Sequence, residues 1–115
     1  MWPLRIALYV QVLLGILLFL GAGPRAALGD THLGLGAVIV VLAAALLRPA
    51  PGAPPSRMRA LARWFPLAPL AVGLGLRLGA WGGLPVVILH MLLGITAVAL
   101  VEVVAARERR LRRAS

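Results

Sequence analysis

The sequence predicts an all-α integral membrane protein: one up-down bundle of four transmembrane helices spanning residues 1–115, with a parallel two-helix internal repeat. Three observations lead there. Of the 115 residues, 62% are hydrophobic and the mean hydropathy is +0.99, against roughly 45–50% apolar content in soluble domains. A chain this small buries only a modest share of its surface on folding, so lipid is the solvent that suits it. The apolar residues also fall into four runs near the ~20 residues that cross a hydrocarbon core, and the arginines collect in the gaps between them.

The first run is Leu4–Gly21, charged only at Arg5. A cleaved signal peptide is its competing reading, with Gly21–Gly23 as the small-residue site. The run is longer than a signal h-region and its n-region has a single charge, so a retained helix is expected. The second run, about Thr31–Leu47, is opened by Asp30 or Thr31, both good N-caps. The third is roughly Leu61–Ala80. Pro66 and Pro69 fall in its first turns, so the span is expected to begin near Pro66, with Leu61–Phe65 at the interface. The fourth is Leu84–Ala106, followed by a basic helical tail, Arg107–Ser115. Arg48–Arg59, with four prolines, reads as a stiff linker that ends the second helix.

Charge sets the expected orientation. Arg5, Arg48, Arg57, Arg59, Arg63 and the five tail arginines share one side, leaving Arg25 and Arg77 on the other. By the positive-inside rule the first side is cytoplasmic, which puts both termini in the cytoplasm and the chain in the cell (inner) membrane. Trp2, Trp64 and Trp81 fall at expected interfaces. The net charge of +9 points to anionic lipid headgroups at the cytoplasmic face rather than nucleic acid, because no aromatics interleave the arginines on a groove-sized surface. With no cysteine, disulfides, zinc–thiolate sites, iron–sulfur clusters and covalently attached haem are excluded.

The halves resemble each other. His32 opens HLGLGAVIVVLAAAL and His90 opens HMLLGITAVALVEVV, and the preceding helices end in VLLGILLFLGA and AVGLGLRLGA. Each half reads as a helix pair with a histidine on its second member, both entering the membrane from one side. His32 and His90 then lie near the same outer level, each followed at i+4 by a glycine, Gly36 or Gly94, on the same helix face. Two opposed imidazoles with glycine clearance suit a bis-histidine haem b site. His32 and His90 are the metal ligands, and Arg25 and Arg77 the cationic partners for propionates. The bland reading gives the histidines to helix ends and carbonyl hydrogen bonds, the glycines to close packing and Arg77 to snorkelling. Glu102 is expected to pair with Arg48 or Arg63 or to snorkel.

On Gln11 and Gly15 in QVLLG, His32, and His90 in LHMLLG, the chain resembles one four-helix half of the heme A synthase family. The resemblance spans nearly the whole chain and implies haem held between the second and fourth helices toward the outer face. The family's acidic residue before a His-Arg pair is not reproduced, since Asp30-Thr31-His32 is followed by Leu33, and there is no outer-loop cysteine pair. Haem ligation by His32 and His90 is carried over; synthase activity is not, and no catalytic residue is assigned. A homodimer is one expected source of a second haem-bearing half.

Two function classes stand: a haem b protein for electron transfer or haem handling, and a cofactor-free structural or assembly subunit of a larger membrane complex. A small proton-coupled exporter is disfavoured because the first three helices lack an embedded carboxylate. An intramembrane protease is disfavoured because the only serines, Ser56 and Ser115, lie outside the spans.

Overall fold

The computed structural model describes residues 1–114, and every element among them is helical. The elements are α1 (Trp2–Phe19), α2 (Arg25–Leu46), α3 (Arg57–Trp64), α4 (Leu67–Leu78) and α5 (Leu84–Ala114). Helices α1, α2 and α5 are each long and apolar enough to cross a membrane. Helix α4 alone rises only about 18 Å.

The local chemistry explains each boundary. α1 stops at Phe19 because Gly21 takes a left-handed φ of 69°. The Ala22 and Gly21 amides then bond back to the carbonyls of Leu17 and Leu18 in a Schellman closure. α4 ends identically at Gly79, φ 75°, with Ala80 and Gly79 bonding to Gly75 and Leu76. The expected caps of α2 are not used. The helix starts at Arg25, with Pro24 as N-cap holding φ at −68°, and the good helix formers Ala26, Ala27 and Leu28 fill the first turn. Thr31 Oγ1 instead donates to the Ala27 carbonyl inside the helix. The third apolar run breaks at Phe65–Pro66, because proline cannot continue the amide ladder. Its first part, α3, is capped by Ser56 Oγ accepting from the Arg59 amide. The tail continues α5 as one unbroken helix to Ala114.

Packing closes a circuit. α1 lies against α2 and α5, α2 against α3 and α4, and α3 and α4 against α5. Helices α2 and α5 are therefore diagonal partners, with α1 facing α3–α4 across the other diagonal. The dry core, built on Leu4, Leu8, Ile39, Ala43, Leu47, Ala62, Ala97 and Val101, sits toward the arginine-rich end. No charged residue is buried among the described residues, and large apolar side chains such as Ile6, Leu13, Val41 and Leu92 stay exposed on the outer faces.

At the arginine-rich end, Arg5 and Glu102 form a two-bonded ion pair, Nε to Oε1 at 2.6 Å and Nη2 to Oε2 at 2.9 Å. This differs from the expected pairing of Glu102 with Arg48 or Arg63. Arg63 is committed elsewhere because α2 ends beside α3: its Nε donates to the Ala44 carbonyl at 2.8 Å, and Arg59 donates to the carbonyls of Leu46 and Arg48. Arginines from α3 thus satisfy carbonyls that the end of α2 leaves open.

Candidate cofactor site

His32 lies seven residues into α2 and His90 six into α5, about 10 Å and 9 Å from the helix starts at 1.5 Å per residue. The early start of α2 therefore brings the two histidines to nearly one level. Both fall on the inward seam of their helix. On α2 the seam runs His32, Gly36, Ile39, Ala43 and on to the C-cap Leu47, and on α5 it runs His90, Gly94, Ala97, Val101, Ala105. The steps of four and three residues keep each series on one face.

The rings meet across the α2–α5 diagonal, with centroids 5.9 Å apart and planes at 85°. The other diagonal supplies the space they need. A Cβ at Gly15 of α1 would stand 3.2 Å from His32 Cε1, and one at Gly73 of α4 would stand 2.7 Å from His90 Cε1. Gly15 precedes His32 by 17 residues, and Gly73 precedes His90 by the same 17.

Polar groups gather at this level without being satisfied. His32 Nδ1, His90 Nδ1 and Gln11 Oε1 are buried with no hydrogen-bond partner. The backbone carbonyls of Gln11 and Pro69 lie near the two rings, yet neither reaches hydrogen-bond geometry with Nδ1. Gln11 Nε2 donates to the His32 carbonyl at 2.7 Å. A buried polar atom without a partner costs about 1–3 kcal/mol, so three at one level mark the site as chemically unfinished.

The other expected residues divide. Gly36 faces the Gln11 amide, 3.1 Å from the position of a Cβ, while Gly94 meets nothing within 4 Å. The glycines under the rings are thus Gly15 and Gly73, not Gly36 and Gly94. Arg77 is ion-paired with Asp30 and lies across Gly29. Arg25 lines a cavity of about 100 Å³ with Leu17, Gly21 and Leu28 at the α1–α2 turn, and none of these residues belongs to the histidine pair. Sequence reasoning reaches Gly15 and Gln11 only through the family resemblance and misses Gly73. The repeated 17-residue glycine–histidine spacing is the signal that finds it.

Among the described residues no three His, Cys, Asp or Glu side chains gather to hold a metal ion. The two imidazoles are suited instead to a group that brings most of its own ligands. No protein-family model, curated protein or solved structure matches this chain.

Proposed function

We propose that this chain is a membrane-embedded haem b-binding protein, in which His32 and His90 would hold the haem iron, serving electron transfer or haem handling. The observation that carries the reading is the ring pair itself. Two imidazole nitrogens bonded to one metal at about 2 Å each set the ring centres about 6 Å apart, and the rings stand at 5.9 Å. Gly15 on α1 and Gly73 on α4 make room for the two imidazoles that would hold the haem. Both Nδ1 atoms are buried without a hydrogen-bond partner, and the Gln11 and Pro69 backbone lies near the two rings, where a carbonyl can orient a ligating imidazole.

The haem, when bound, supplies one-electron chemistry. The chain's part is to hold two neutral imidazoles opposed and to surround them with apolar helix, which favours a fixed low-spin centre over an open one. We read four spans with both termini cytoplasmic, α3–α4 forming the third, and the haem toward the outer face of the cell membrane. We also read the two hairpins as a duplicated unit. Positions 58 apart correspond at Gly15/Gly73, Gly21/Gly79, His32/His90 and the buried Leu4/Ala62, Ile39/Ala97 and Ala43/Val101. In this reading the chain is one unit related to the heme A synthase half, without synthase activity.

One feature favours the cofactor-free alternative, a small structural or assembly subunit. Edge-to-face imidazoles at this distance also pack directly against each other. Absorption of protein purified in mild detergent from haem-replete cells separates the two. One haem per chain with a Soret band supports haem b; a colourless preparation supports the subunit.

A further inference from the structure

The carboxylates of this chain are all taken. It has three acidic side chains against twelve arginines, and Glu102 pairs with Arg5, Glu108 with Arg59 and Asp30 with Arg77. Among the described residues, none of these pairs involves Arg57, Arg107 or Arg110. The surplus is concentrated where α3 meets the end of α5. The Arg59–Glu108 pair ties these helices together; Arg57 stands two residues before Arg59 on α3, and Arg107 and Arg110 lie on either side of Glu108 on α5. All three are exposed. Arg107 and Arg110 line a shallow groove with Leu111 and Ala114.

The same end is apolar as well as basic. Leu61 and Trp64 on α3 are each 50% exposed and Leu111 is 71% exposed. Arg63 stacks on Trp64, its guanidinium carbon 4.5 Å from the ring centroid, an arrangement suited to the headgroup level. An anionic phospholipid, which joins a phosphate to hydrocarbon, matches guanidinium groups beside exposed leucine and tryptophan.

We infer that the α3–α5 junction is a binding site for the phosphate of an anionic phospholipid, clamped by Arg57, Arg107 and Arg110. Arginine suits this role because its planar fork donates two parallel bonds to phosphate oxygens. Arg59 and Arg63 are structural in this scheme, being committed to Glu108 and to α2 carbonyls.

The test compares thermal unfolding of the full chain in nanodiscs of phosphatidylcholine alone and of phosphatidylcholine with phosphatidylglycerol. The expected result is a midpoint several degrees higher with phosphatidylglycerol. Most of that shift should persist in about 1 M salt, where diffuse surface potential is screened within a few ångström. In the R57Q/R107Q/R110Q variant the shift disappears while the phosphatidylcholine midpoint is unchanged. The inference is overturned by an absent shift, by a shift that vanishes in high salt, or by one the triple variant keeps. It is also overturned if the protein captures RNA that phosphatidylglycerol does not displace. Should the triple variant fail to fold, native mass spectrometry of Arg57→Gln decides: a several-fold loss of retained phosphatidylglycerol supports the site, and equal retention removes it.

Discussion

His90 packs against the backbone of Gly73 so closely that a single methyl group there would stand 2.7 Å from its Cε1. His32 and Gly15 repeat the relationship at 3.2 Å. Each hairpin thus places a glycine on its first helical arm to admit the histidine of its second. Overpacking a closed site of this kind costs about 1–3 kcal/mol. Gly73→Ala should therefore lower the unfolding midpoint in detergent clearly, Gly15→Ala less, and Gly94→Ala, which meets nothing, not at all. A reversed order would remove the glycine assignment.

Gln11 fixes the His32 turn from α1. Gln11→Leu removes the 2.7 Å bond to the His32 carbonyl and the orphaned Oε1 together, so its effect on apoprotein stability is small, within about 1 kcal/mol. The haem-loaded protein should respond more, through a shifted midpoint potential, because ligand orientation tunes the iron. A redox titration checks this, with an unchanged potential as the contrary outcome.

Under the proposed duplication, with its spacing of 58 residues, Arg63 would correspond to Arg5, yet of the two only Arg5 faces a carboxylate. At the same spacing Glu102 would correspond to Ala44, whose carbonyl accepts from Arg63. Ala44→Glu should be tolerated, holding or slightly raising the unfolding midpoint, since partly buried pairs contribute about 1 kcal/mol. Ala45→Glu points from the exposed face and should lower both membrane yield and midpoint. Equal effects of the two changes would contradict the hairpin correspondence.

The angle between the imidazole planes gives a spectroscopic expectation. At 85° the two imidazole rings are close to perpendicular. The oxidised haem protein should then give a single strongly anisotropic low-spin signal in electron paramagnetic resonance, not the rhombic three-line pattern of parallel rings. A rhombic spectrum would mean the rings reorient on loading.

Much of this was legible in the sequence because apolar length and arginine placement act over whole segments. The four runs and the break near Pro66 follow from elementary rules about hydrocarbon thickness and the missing proline amide. The convergence of His32 and His90 followed from the helix pairing. What escaped depends on particular contacts. Asp30 and Thr31 look like caps, but Pro24 starts the helix six residues earlier and frees Asp30 to meet Arg77. Gly36 and Gly94 looked like the clearance because i+4 places them on the histidines' own helices. The space is made on the neighbouring helices instead, by Gly15 and Gly73. Glu102 had several arginines within sequence reach, and only the packing of α1 on α5 selects Arg5.

The most direct test of the central claim is the dithionite-reduced absorption spectrum of the wild type beside His90→Ala, both purified from haem-replete cells. The bis-histidine account requires a sharp low-spin α band in the wild type and its loss in His90→Ala, with the variant still folded by circular dichroism. A colourless wild type, or a low-spin band that survives in the variant, would contradict it.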